Sequence, residues 1–352
     1  MTPEGDEPPA ARERGFASDN YAGVLPEVLE AIAAANTGHA VSYGGDEWTA
    51  RVEELFRAHF GDEARTALVF NGTGANVVAL QALTRPYEAC ICASTAHLNV
   101  DECGAPERVA GLKLLAVDTP DGKLTPALVE PRLGRFGDEH AVQPRVVSIT
   151  QSTELGTLYT PGEIAALADQ AHERGMLLHV DGARLANAAA ALDVPLRAIT
   201  TDAGADAVSF GGTKNGMLLG EAVVFLRAGL GGEVAFLRKQ SMQLASKMRF
   251  IAAQFEALLG DWRTPAAHAN AMAARLADAV SGIEGVRVTQ RVEANAVFAV
   301  LAPAATAWLQ ERWRFYVWDE GTGEVRWMCS WDTTDEDVDM FAADVAKAVE
   351  LA

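Results

Sequence analysis

"PGEIAALADQAHERGMLLHVDGARLANAAA", residues 161–190, holds the pattern that decides the fold. "PGEIAALADQAHERG" reads as a helix and "MLLHV" (176–180) as a short apolar strand, closed by the carboxylate of Asp181. A strand without polar alternation is expected to be covered on both faces, as in a parallel sheet flanked by helices. Similar runs recur: "TALVF" (66–70), "ACICA" (89–93), "LKLLAV" (112–117), "PRVVSIT" (144–150), "AVSF" (207–210) and "AVVFL" (222–226). Helical stretches such as "GANVVALQAL" lie between several of them. Short strands alternating with helices predict an α/β domain around a mostly parallel central sheet.

Upstream, "PEVLEAIAAAN" places Val28, Leu29 and Ile32 on one helical face, with Pro26 in the first turn. "DEWTARVEELFRAHFG" reads as a second helix, acidic at its start and closed by Gly61. The alternation fades after about residue 227, where a long helical region runs to about 280. Strand-like "VRVTQ", "NAVFAVL" and "EVRWMCSW" follow, then the helix "TTDEDVDMFAADVAKAVE". In that helix Val338, Phe341, Val345 and Val349 face inward, and Thr334 with Asp337 forms a capping-box start. The expected layout is a flexible arm (1–15), a large α/β domain (16–240) and a small C-terminal α+β domain (241–352).

The 352 residues suffice for one large core and a smaller one. A net charge of −19 argues against a nucleic-acid surface, so any bound phosphate must be held by local donors. Cys90, Cys92, Cys103 and Cys329 form no C-x-x-C pair and no H-E-x-x-H occurs, so no metal site is expected and a reducing, cytoplasmic setting is. The opening "MTPEGDEPPAARERG" is polar and reads as neither signal peptide nor anchor, and no apolar stretch is long enough to span a membrane.

Five features carry chemistry, each with a plainer reading beside it. "FNGTGANVVAL" (70–80) is a strand, a Gly72–Thr73–Gly74 bend and a helix start, either an anion cradle or a tight turn. Asp181 ends a strand where open α/β sheets bind ligands, with Arg184 three residues on; the alternative is a helix cap with a surface partner. In "AVSFGGTKNGM", Lys214 stands among Gly211, Gly212 and Gly216, which would leave room for a bulky aldehyde at a lysine primed by desolvation. A surface lysine is the plainer reading. His97 in "STAHLNVDE" is either structural or able to stack on a flat ring and move protons. Arg326 in "EVRWMCSW" sits in an apolar strand and needs an anion, either a substrate carboxylate or a salt bridge between domains. Together a phosphate-type turn, a stacking His, a strand-end Asp and a following Lys meet the needs of pyridoxal phosphate: a phosphate cup, an acidic partner for the ring nitrogen and an imine-forming amine.

"HVDGARLANAA", "SFGGTKNGM" and "GEAVVF" closely resemble the low-specificity L-threonine aldolases among the fold-type-I pyridoxal-phosphate enzymes, and the likeness runs from "FASDNYAG" (16–23) to the last helix. The resemblance implies that Lys214 forms the Schiff base, Asp181 pairs with the ring nitrogen, His97 stacks on the ring, and Gly72 and Thr73 bind the phosphate. It assigns Ser18, Arg184 and Arg326 to the substrate carboxylate. Lys247 and Arg249, in "QLASKMRF", fall where family members reach a neighbouring subunit's phosphate site, so a homodimer or homotetramer is implied. Two departures stand out. "QSMQLAS" (240–246) replaces a glycine-rich stretch, and Glu154 stands where many members carry a histidine near the substrate β-hydroxyl. The implied activity is reversible cleavage of threonine-like β-hydroxy-α-amino acids, phenylserine-like ones included, to glycine and an aldehyde. Another reaction of the same cofactor, or a non-catalytic relative, remains open on the residues alone.

Overall fold

The computed structural model describes residues 14–352; residues 1–13, most of the expected arm, lie outside it. Two helices, α1 (Pro26–Ala35) and α2 (Glu47–Phe60), lead into β1 (Arg65–Val69) and α3 (Gly72–Leu83). There follow β2 (Glu88–Ala93), α4 (His97–Val100), β3 (Lys113–Val117), α5 (Pro126–Val129), β4 (Gln143–Thr150) and α6 (Pro161–Glu173). The unit read first in the sequence continues through β5 (Leu177–Gly182) and α7 (Leu185–Ala191) into β6 (Ala207–Gly211) and β7 (Glu221–Phe225).

These strands form one seven-stranded sheet in the order β1-β7-β6-β5-β4-β2-β3. β6, β5, β4, β2 and β3 are mutually parallel. β7 is antiparallel to both β6 and β1, so it runs against the rest of the sheet. β5, β6 and β7 are buried along their whole length, as the unbroken apolar runs required. α6 begins on a full capping box, Thr160 with Glu163, and Pro161 occupies its first position. On α1, Val28 is buried against the core but Leu29 is 51% exposed, because the helix packs along a single neighbour and a step of about 100° carries Leu29 off that seam.

The long helical region resolves into α8 (Val234–Gln240), α9 (Arg249–Gly260) and α10 (Arg263–Ser281), interrupted at 241–248 and at Asp261–Trp262. α9, beyond the expected boundary at 240, packs on α1 and α2 and buries Phe255 in the first core. The small sheet comprises β8 (Arg287–Val288), β9 (Ala296–Val300), β10 (Tyr316–Asp319) and β11 (Glu324–Met328), with α11 (Pro303–Gln310) between β9 and β10. It is antiparallel, in the order β10-β11-β9-β8. "VRVTQ" contributes only two paired residues; β10 and α11 carry weaker patterns than the sequence reading could detect. The terminal α12 (Asp335–Leu351) has the expected Thr334–Asp337 capping box and buries Val338, Phe341 and Val345.

A second core gathers here around Phe341, whose ring meets those of Phe16, Trp313, Phe315 and Trp327 at centroid distances of 4.5, 5.2, 6.1 and 5.1 Å. Phe16 belongs to this core, and its backbone bonds to Arg314 and Met328 lay the N-terminal segment across the small sheet. No helix among the described residues is long and apolar enough to cross a membrane. Phe341→Ala is expected to cost about 3–5 kcal/mol, read by urea denaturation followed through tryptophan fluorescence. A loss below about 1 kcal/mol would mean the aromatic cluster does not hold the small core together.

Candidate active site

The carboxyl ends of β4, β5 and β6 open into a cavity of about 300 Å³, the position at which an open α/β sheet binds its ligands. Gly72, Thr73, His97, Glu154, Asp181, Arg184 and Lys214 all line it. Residues spread over 143 positions of sequence therefore meet in one chamber.

Asp181 ends β5 and is 3% exposed. Its Oδ1 accepts the Ala183 N–H at 3.1 Å and its Oδ2 accepts the Asn76 amide at 2.8 Å, leaving lone pairs to face a cationic group in the cavity. Lys214 follows β6 on a single 3-10 turn, Thr213–Asn215, closed by Gly216 at φ +104°. Desolvation, reinforced by the Arg184 charge, lowers the Lys214 pKa from its usual range, against the pull of Asp19, Asp181 and Glu221. The glycines around it also have a packing role. A Cβ on Gly211 would lie 2.5 Å from the Ala183 carbonyl oxygen, and one on Gly212 would lie 2.8 Å from that of Gly220. They let three backbone segments close on one another, and Gly211 also lines the cavity.

At the opposite wall, α3 presents the amide groups of its first turn. Asn71 caps the helix by accepting the Gly74 N–H at 2.8 Å, leaving those of Gly72 and Thr73 at the helix mouth. Gln243, in the "QSMQLAS" segment, accepts the Phe70 N–H at 2.9 Å, and its amide fills the space where a Cβ on Gly74 would stand. This gives the substituted "QSMQLAS" segment a definite task, bracing the turn from outside.

His97 heads α4. Its backbone N–H donates to Glu154 Oε1 at 2.8 Å and its Nδ1 lies 2.9 Å from Glu102 Oε1. The Glu102 bond raises the His97 pKa, over the opposing effect of burial. Burial pushes the Glu154 carboxyl up, and its Oε2 is buried without a hydrogen-bond partner.

The expected carboxylate clamp is partly spent. Arg184 donates from Nε and Nη2 to Asp19 in a bidentate pair, at 2.7 and 2.9 Å, so only the outer edge of its fork can meet a ligand. Ser18 caps the turn carrying Asp19, its Oγ accepting the Asn20 N–H, and it is Asn20 rather than Ser18 that lines the cavity. Arg326 on β11 has no ion pair among the described residues, so the interdomain salt bridge is not formed. Its Nη2 makes one long bond of 3.4 Å to the Ala17 carbonyl, its guanidinium lies 4.7 Å over Trp318, and its Nε is buried and unpartnered. Burial, with the neighbouring Arg184 charge, pushes its pKa down to about 10, the signature of a cation lacking an anion. Lys247 and Arg249 do not line this cavity. Lys247 is exposed, and Arg249 donates to the Thr37 carbonyl and lies over Trp48 and Phe250.

Sequence reasoning missed Asp19, Asn76, Glu102 and Glu221. Glu221 is a buried carboxyl lining the cavity, accepts the Gly212 N–H at 2.7 Å, and so braces the Lys214 turn from below. No group of His, Cys, Asp and Glu among the described residues could hold a metal ion. The cavity instead offers an anion cradle, a carboxylate for a cationic ring nitrogen and a desolvated amine for a carbonyl; the unpaired Arg326 guanidinium, near Arg184, is not part of the lining.

Over residues 15–304 the chain matches the protein family described as beta-eliminating lyase. It is 46% identical to the low specificity L-threonine aldolase of Pseudomonas aeruginosa over 94% of this chain and 96% of that one. The solved threonine aldolase of Leishmania major superposes with a TM-score of 0.89 at 31% identity, covering 95% of this chain and 99% of that one. The serine palmitoyltransferase of Sphingomonas wittichii, at 16% identity and a TM-score of 0.71 over 98% and 93% of the two chains, shares the fold.

Burial raises the Glu221 pKa from 4.5 to about 7, so the folded chain holds a proton there that the unfolded chain releases. The resulting stability is fully present below about pH 4.5 and is lost as pH rises through about 7. Relative to Glu221→Gln, the natural protein is therefore expected to lose stability across that window, by roughly 3 kcal/mol at most. Paired denaturation curves at pH 5 and pH 8 check this, and parallel behaviour of the two proteins would contradict it.

Proposed function

The chain belongs to the beta-eliminating lyase family, among its low-specificity L-threonine aldolases, and we propose that its cavity cleaves L-threonine, L-allo-threonine and related β-hydroxy-α-amino acids, phenylserine-like ones included, reversibly to glycine and an aldehyde. The observation that carries this reading is the convergence of a desolvated Lys214 and a buried Asp181 with an unpaired Arg326 close by.

Pyridoxal phosphate fits the residues present. The Gly72 and Thr73 amides at the head of α3 would hold its phosphate. Asp181 would face its ring nitrogen, His97 would cover its ring, and Lys214 would bind its aldehyde carbon. When bound, this group supplies the electron sink that stabilises negative charge at the substrate Cα.

The chain's own side chains do the rest. Arg326, with its free Nε, and the outer edge of Arg184 take the substrate carboxylate beside Asn20, on the turn that Ser18 caps. Holding the carboxylate sets the rotation about the Cα–N bond, and with it the bond aligned for breaking. The unpartnered Glu154 Oε2 and the outward edge of the His97 ring, or a water between them, accept the β-hydroxyl proton as Cα–Cβ breaks. The aldehyde leaves, and a proton returned to Cα completes glycine. The His97 backbone N–H holds the Glu154 carboxyl beside the ring.

A second copy of the chain completes the proposed assembly, a homodimer or homotetramer. Met242, Phe236 and Val41 are 82, 77 and 68% exposed, an apolar surface that a partner would cover. Lys247, exposed and outside the lining of its own cavity, is then available to the partner's phosphate site, with Arg249 two positions on. Four unpaired cysteines, three of them buried, support a reducing, cytoplasmic setting.

Purified protein supplied with pyridoxal phosphate is expected to be yellow and to release glycine and acetaldehyde from L-threonine. Lys214→Ala abolishes both the colour and the products. Ammonia and a keto acid in place of glycine would overturn the aldolase assignment. Arg326→Ala is expected to keep the colour while raising KM for threonine at least tenfold, roughly the 1.5–3 kcal/mol of a charged hydrogen bond. An unchanged KM would remove Arg326 from the carboxylate site.

A further inference from the structure

The ring of His97 is held from behind by a residue that no motif marks. Glu102 lies five positions on, in the turn after α4, and its side chain is fully buried. Its Oε1 meets two donors, His97 Nδ1 at 2.9 Å and the Asn76 amide nitrogen at 2.7 Å. That same Asn76 nitrogen reaches Asp181 Oδ2 at 2.8 Å. An amide nitrogen carries two hydrogens, one for each carboxyl oxygen, and has no lone pair to give. Both oxygens facing it must therefore accept. As a carboxylate, Glu102 only accepts, so the hydrogen in that bond sits on His97 Nδ1, and Nε2 is the nitrogen turned away from Glu102.

Four elements supply this row: α3 gives Asn76, α4 gives His97, the turn after α4 gives Glu102, and β5 gives Asp181. Two of its atoms, Asn76 Oδ1 and Glu102 Oε2, are buried without partners.

We propose that Glu102 is the positioning residue of the cavity, fixing Nε2 as the His97 nitrogen that faces substrate and, through Asn76, tying that ring to Asp181 in one rigid frame. The proposal rests on the aldolase reading for what the frame is used for, but not for its geometry. The charged and titratable groups that act on His97 are Glu102, Glu154 beyond β4, Asp181 on β5 and Lys214 beyond β6. Only Glu102 among them bonds the ring itself.

The test uses the full chain freed of cofactor, with nitrogen-15 in its histidines and His97 assigned by its loss in His97→Gln. Above its titration, the natural protein is expected to show the ring proton on Nδ1; a proton on Nε2 would overturn the proposal whatever the Glu102 variants do. In Glu102→Gln, the His97 midpoint is expected to fall by about one unit, tenfold in its protonation constant, while Glu102→Asp restores part of the shift. An unchanged midpoint in a folded Glu102→Gln would also overturn it. With pyridoxal phosphate added, Glu102→Gln is expected to lower kcat at least tenfold with KM for threonine within threefold. Equal loss in both would mark Glu102 as a general structural support and count against the proposal. Failure of the aldolase reading would appear separately, as absence of colour or of glycine in the natural protein.

Discussion

The pair between Asp19 and Arg184 joins the two cores at the edge of the cavity. Asp19 lies on the segment that Phe16 anchors in the small core, and Arg184 leads from β5 into α7 of the large one. Asn295, just before β9, adds a third bond to Asp19 at 3.1 Å and another to the Cys329 carbonyl. Burial alone would push the Asp19 pKa up, but Arg184, Lys214 and the hydrogen bonds outweigh it and hold it below its usual value. Removing one member of so buried a pair costs about 3–5 kcal/mol, because the other is left charged and dry. The pair therefore fixes how the small core sits over the sheet, and so where Arg326 points.

That geometry explains why two arginines close together have different roles. Arg184 is occupied, and its charge makes the neighbouring Arg326 harder to protonate. Arg326 is left with one weak bond and a buried free nitrogen, a cost that an incoming carboxylate removes. Around Lys214 the balance runs the other way. Asp19, Asp181 and Glu221 all favour its charge, while desolvation and Arg184 oppose it. An amine held between such influences can take up and release a proton without rebuilding its surroundings.

Much of this is legible in the sequence. Apolar runs located the strands of the large sheet, and Asp181 at a strand end with Lys214 beyond the next strand pointed to the cavity. The capping box on α12 and the helix start at Gly72 were equally plain. Glu102 and Asn76 were not, because a buried carboxyl and a mid-helix amide have no local pattern. Their meaning lies in a partner 26 residues away in one case and 105 in the other. The packing role of Gly211 was hidden for the same reason, since what crowds it is the backbone of Ala183 in the turn after β5.

By itself, the sequence determined the elements and the chemical types at their ends, because helix and strand periodicity, capping and turn preferences act over a few residues. Only the tertiary structure decided which of those groups meet. It paired Arg184 with Asp19, left Arg326 without an anion, set Gln243 against the Gly74 turn and threaded Asn76 between Glu102 and Asp181. Strand order and the docking of one core on the other place these atoms, and hydrogen bonds that must form within about 3 Å are decided at that level.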